Sequence, residues 1–180
     1  MFEFRDYTFI HKYFIGEKQE SLLFLIVGII AVLAAVVFFF FIRTNPSFYK
    51  GMAIPLLVVG LIQLTVGYTV YARSDKQRLD VAYKLGAEAK MYTSSVELPR
   101  MRTVMKNFVI YRWTEIVLIL AGLALIFLFR TKPERAFLFG MSITLTIQAA
   151  IMLGADHFAE KRGEIYTKEL EKIVSEYAST

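Results

Sequence analysis

The sequence predicts an all-α fold, a polytopic membrane protein built as a four-transmembrane-helix bundle of two similar helical hairpins with amphipathic cytosolic extensions. Three observations carry this. Residues 22–42 run LLFLIVGIIAVLAAVVFFFFI without a charge, and about 20 apolar residues rising about 1.5 Å each cross roughly 30 Å of hydrocarbon. Further apolar runs follow at about 51–71, 108–129 and 136–155. The chain is 56% hydrophobic with a mean hydropathy of +0.49, above the usual globular share. A soluble core helix needs a polar face, and the first run has none.

Residues 1–20 are aromatic and charged. Phe9, Ile10, Tyr13 and Phe14 fall on one side of a helix, with Arg5, Thr8 and Lys12 on another, which suits a short helix at headgroup level before Gly16. The first apolar run exceeds the core of a signal peptide and no small-x-small site follows, so it is expected to stay in the mature chain. Phe2 excludes N-myristoylation. Arg43–Lys50 reads as a tight connection carrying Asn45-Pro46, a turn signal. In the second run Pro55 lies near the start, where a missing N–H matters least. Leu79, Ala82, Leu85 and Ala89 recur at helical spacing through the charged segment 73–107, so the second helix should continue into water as far as residues 92–95. Ser94 with Glu97 has capping-box spacing, and Pro99 fits a first helical turn. Leu98, Met101, Met105, Phe108 and Arg112 share a face that leads into the third span. RTKPER at 130–135 is the next turn. The fourth span runs into a tail, 156–178, striped by Phe158, Ile165, Tyr166, Leu170, Ile173, Val174 and Tyr177.

The formal charge is +5, and the basic residues flank apolar runs, which suits anionic headgroups and not nucleic acid. Of 21 lysines and arginines, only Arg43, Lys50, Arg130, Lys132 and Arg135 fall in the two short turns. The positive-inside rule then places both termini in the cytoplasm, with a bacterial inner membrane as the expected location. The absence of cysteine excludes disulfides, thiolate chemistry and Cys-ligated metals. There is no phosphate-binding glycine loop and no G-x-S-x-G elbow. No residue set reads as catalytic, and no cofactor is expected.

The two halves resemble each other. Arg43-Thr44-Asn45-Pro46 matches Arg130-Thr131-Lys132-Pro133, Gly51-Met52 matches Gly140-Met141, and Ile62-Gln63 matches Ile147-Gln148. Self-similarity of this kind signals an internal repeat, here two hairpins related by an axis along the membrane normal. Gln63 and Gln148 are then expected at one height inside the bundle as an intramembrane hydrogen-bonding pair, since a primary amide in hydrocarbon must find a partner.

A polar cluster gathers at the inner ends of the spans: Glu20, Arg112, Glu115, Asp156, His157 and Glu160, with Arg73 and Lys161 nearby. Three chemistries compete. In an ion-pair collar Arg112 pairs with Glu115 and the other bases with the remaining acids. In a proton or cation path Glu115 is the protonatable group and Asp156 with Glu160 form the inner mouth. In a metal site Glu20, Glu115, Asp156, His157 and Glu160 are ligands, although carboxylate-bridged bundles use Glu-x-x-His twice and only one His-bearing segment exists here. Trp113 reads as a headgroup anchor, and Ser142, Thr144 and Thr146 as close-packing residues. The leading function class is a non-enzymatic inner-membrane protein that binds lipid, another copy of itself in a homo-oligomer, or a protein partner through its cytosolic helices, in an accessory, regulatory or immunity-type role. Its rivals are a small ion or proton channel or transporter and a metal-dependent membrane enzyme.

Overall fold

A computed structural model describes residues 7–178, and among them the regular structure is entirely helical. Helix α1 covers Thr8–Phe40, α2 Pro46–Tyr92, α3 Leu98–Phe129 and α4 Ala136–Ala178; a π-helical turn, Thr93–Glu97, links α2 to α3, and a 3-10 turn, Pro133–Arg135, precedes α4. Three helical stretches are long and apolar enough to cross a membrane: Thr8–Phe40, Pro46–Phe129 and Pro133–Ala178. Asn45 adopts the left-handed region (φ 46°) and delivers Pro46 as the first residue of α2, where proline loses no hydrogen bond.

The stretch Pro46–Phe129 is 84 residues long and would extend about 126 Å if straight. It folds back at Glu88, whose backbone (φ −140°, ψ 54°) leaves the helical region. The reversal precedes the Tyr92–Ser95 segment on which the sequence placed it. The expected capping box is absent, because the Ser94 hydroxyl donates to the carbonyls of Lys90 and Met91 while Glu97 turns inward. After the reversal α3 returns along α4, so Gly163 packs on Met101, Met105 and Phe108 while Gly122 packs on Ser142 and Thr146.

The pairs α1–α2, α2–α4 and α3–α4 are in extensive contact, whereas α2 and α3 scarcely meet. Between α2 and α4 the approach is closest. A Cβ added to Gly51 would collide with the carbonyl oxygen of Phe137, and one added to Gly140 would collide with that of Phe48. The two contacts are reciprocal and bring the N-terminal turns of α2 and α4 together; Val81 and Leu85 share a core with Tyr166 and Leu170 at the other end, so the two helices run parallel. Pro55 is an interior residue of α2, because the helix begins at Pro46 and not at Gly51. It leaves the Gly51 carbonyl, four residues back, without a helical donor, and the Thr144 hydroxyl donates to the adjacent carbonyl of Met52 at 3.0 Å.

The best-packed core lies at the opposite end. Ile10, Tyr13 and Phe14 of α1 pack with Val81, Leu85, Leu98, Met101, Tyr166, Leu170 and Ile173. The N-terminal aromatic stripe is therefore packed into the core instead of lying open, and α1 passes through Gly16 unbroken where a separate short helix was expected. The physical reason is that the stripe of α4 is available to cover it: the rings of Tyr13 and Tyr166 stack at 4.3 Å. Arg5, expected on the opposite side, lies outside the described residues. Within the expected tail stripe, Phe158 and Ile165 face outward, and Leu79 of α2 does the same while Val81 is buried.

The apolar half exposes its side chains. Leu23, Leu33, Leu120 and Phe127 are each at least 60% exposed. The accessible surface is 11283 Å², against about 8,900 Å² for a compact soluble chain of this mass. An apolar exterior of this extent is compatible with insertion into a membrane.

We expect Gly51→Ala and Gly140→Ala each to lower stability by about 1–3 kcal/mol through overpacking of the α2–α4 seam. Gly154→Ala, whose Cβ meets nothing within 4 Å, should be neutral or stabilising by up to about 1 kcal/mol. Denaturant unfolding in detergent micelles distinguishes the two cases, and equal effects at all three positions would contradict the seam.

Candidate functional site

Because α2 and α3 stay apart, a cavity of about 530 Å³ lies among the four helices. One end is apolar and is lined by Val59, Leu118 and Leu145; the other is lined by Glu17, Arg73, Arg100 and Arg162. Helix direction sets this gradient. On each helix, the part nearer the short turns is apolar and the part nearer the aromatic core is charged.

Most charges in the cavity wall are matched. Arg162 of α4 pairs with Glu20 of α1. Arg73 lies 4.0 Å from Glu17, whose carboxyl is raised from its ordinary range mainly by burial, with Arg73 opposing. Arg100 holds Glu97 through two hydrogen bonds of 2.9 and 2.7 Å, and the Tyr166 hydroxyl donates to the same carboxylate at 2.7 Å. Glu97 is 1% exposed, so three donated hydrogen bonds replace its water. This knot of Glu97, Arg100, Tyr166 and the stacked Tyr13 closes the charged end.

Glu115 and Asp156 are different. Glu115 is 4% exposed, and no basic or neutral side-chain donor reaches either of its carboxyl oxygens; the neighbouring group within hydrogen-bonding reach is the carboxyl of Asp156. The charged groups acting on the two are other acids: each acts on the other, and Glu20 and Glu160 act on Asp156. Among the described residues no cation stands within ion-pair distance of either. The collar expected from sequence, with Arg112 on Glu115, is not formed. Arg112 instead reaches across to Glu160 on α4, making bonds of 3.1 and 3.0 Å. It does so because it projects into a separate groove between α3 and α4, lined also by Asp156 and His157, while Glu115 projects into the cavity.

The six cluster residues thus divide. Glu20, Glu115 and Asp156 line the cavity, whereas Arg112, His157 and Glu160 line the groove, to which Asp156 also belongs. Among the described residues no group of three or more His, Asp or Glu side chains converges to hold an ion. Sequence reasoning passed over Glu17, Arg100, Arg162 and the Glu97–Tyr166 contact. Their signal is faint, since Glu97 looks like a capping residue and Arg162 like one more tail cation.

Gln63 and Gln148 are buried, at 1% and 2% exposure, but the expected bond between them is absent and each Oε1 lacks a partner. Met52 and Gly140 lie against each other; Gln63 is 11 residues beyond the first and Gln148 only 8 beyond the second. The amides are therefore staggered by roughly a helical turn, about 5 Å along the axis.

Compared with known proteins, the chain matches no family model, no curated protein and no solved structure.

Burial, with Glu17 adding to it, pushes the Tyr13 phenol up to about 12, against about 10 for a free tyrosine. The folded chain then holds a proton that the unfolded chain loses. Stability is complete below pH 10 and should fall as pH rises from 10 to 12. Absorbance at 295 nm should show Tyr13 still protonated at pH 11, by difference from Tyr13→Phe. A Tyr13 that ionises near pH 10 would mean that the aromatic core is open to water. Tyr166→Phe, which removes a bond to a buried carboxylate, should cost about 2 kcal/mol in denaturant unfolding.

Proposed function

We propose that this chain is a non-enzymatic integral membrane protein whose four helices cross the bilayer and whose work is to hold an amphipathic small molecule in the cavity between them. The observation that supports this most is the cavity's polarity gradient, an apolar end continuous with a charged one, inside an apolar exterior. Ligand sites in helical bundles have this character: mostly apolar walls with a few placed polar groups. The reciprocal contacts of Gly51 and Gly140 favour two hairpins derived from one repeat, with an axis between α2 and α4. The distribution of lysine and arginine favours cytoplasmic termini, with the short turns on the outer face.

Two measurements test the reading. N-phenyl-1-naphthylamine, a neutral probe that fluoresces in apolar sites, should bind saturably to the protein in lipid nanodiscs beyond its partition into empty discs. Leu118→Trp, which fills the apolar end, should abolish that excess while leaving the gel-filtration profile unchanged. Binding that is linear, or indifferent to Leu118→Trp, would contradict the cavity's role. The chain has no cysteine, so single cysteines can be added on a clean background. Thr131→Cys should react with an impermeant thiol reagent in intact cells, and Ser95→Cys should react only after lysis. The reverse pattern would invert the orientation.

A further inference from the structure

Resting on the binding role proposed above, we infer that the cavity's ligand carries a primary ammonium group, and that Glu115, assisted by Asp156, is the residue that receives it. Every base lining the cavity has a carboxylate of its own. Arg162 has Glu20, Arg73 has Glu17, and Arg100 has Glu97. Glu115 and Asp156 are what remains, two acids with no cation between them. Glu115 is 4% exposed and has no basic or neutral donor on either oxygen; a proton shared with the Asp156 carboxyl satisfies one acceptor of the pair and leaves the others unfilled, which is costly for buried groups. An ammonium answers this deficiency in two ways. It supplies the missing positive charge, and its three N–H donors meet acceptors on two neighbouring carboxyls.

The rest of the molecule is constrained by the wall. Beyond Glu115 the lining is Val59, Ile62, Leu118 and Leu145, which accepts an aliphatic or aromatic body and offers no partner for a second charge. A phosphate-bearing or carboxylate ligand is disfavoured beside Glu115 and Asp156, whose carboxyls would repel it. The chemical class is therefore an amphipathic amine. An ammonium of this kind can belong to a free amine or to an ethanolamine headgroup of a surrounding lipid.

The experiment uses the full chain in phosphatidylcholine nanodiscs, with dansylcadaverine as probe and N-pentyl dansylamide, the same body without the ammonium, as comparator. Fluorescence anisotropy should show saturable binding of dansylcadaverine, with the comparator about tenfold weaker or more, as expected for one charge-assisted hydrogen-bonded contact. Glu115→Gln should reduce dansylcadaverine to the comparator's level and leave the comparator unchanged. Asp156→Asn should give a smaller loss, and Glu115→Asp, which keeps the charge, should retain part of the difference. Gel filtration of each variant guards against misfolding. In discs containing phosphatidylethanolamine, a raised Kd assigns the ammonium to the lipid headgroup and an unchanged Kd to a free amine; both support the inference. Equal binding of probe and comparator, indifferent to Glu115→Gln, overturns it. If N-phenyl-1-naphthylamine still binds in that case, the cavity's binding role survives; if no probe binds saturably, both fall.

Discussion

The closeness of α2 and α4 governs the rest of this molecule. At Gly51 and Gly140 there is no room for a β-carbon between one helix and the carbonyl of the other, so two backbones meet where side chains would normally intervene. In an apolar surrounding, where neighbouring tails are as greasy as leucine, such close van der Waals contact is the main attraction available between helices. Setting α2 and α4 side by side and parallel fixes where α1 and α3 can go, each antiparallel to its own neighbour. Drawing α2 toward α4 also leaves α2 without a neighbour on the α3 side. The cavity is the consequence of that geometry.

The two ends of the molecule are held by different forces. Near the short turns, glycine contacts and the Thr144 hydroxyl on Met52 hold helices whose outer faces stay apolar. At the other end a buried aromatic core and the Glu97–Arg100–Tyr166 knot do the work that water exclusion does in a soluble protein. The ionisable groups fall at the junction of these regimes. There a carboxyl can be buried and yet remain within reach of counter-ions, and all but Glu115 and Asp156 use that possibility.

Much of this was legible in the residues. The uncharged runs and the turns at 43–50 and 130–135 separated the helices, although α2 starts at Pro46 and not at Gly51, and the place of Glu115 inside an apolar run marked it as an acid that needs an explanation. Periodicity did not supply register between helices. Arg112 stands three residues before Glu115, an ordinary spacing for a pair, yet its guanidinium belongs to Glu160 on another helix. Gln63 and Gln148 occupy matching places in their halves, but the seam is offset enough to separate the amides. The reversal at Glu88 carries no proline, and the Thr-Ser-Ser run downstream is the stronger local signal. The N-terminal stripe suits a lipid surface as well as a protein core, and only the folded partner, the tail of α4, decides between them.

The most direct measurement is a crosslink across the seam in native membranes. Phe48 and Phe139 face each other with ring centroids 5.7 Å apart, at the start of α2 and of α4. Carrying Phe48→Cys and Phe139→Cys together, the chain should form an intramolecular link with a short bifunctional thiol reagent, identified as one joined peptide pair by mass spectrometry. A link found only between separate chains, or a Cys at position 48 that couples instead to the far end of α4 around Tyr166, would show that α2 and α4 do not run together. The cavity would then lose its walls.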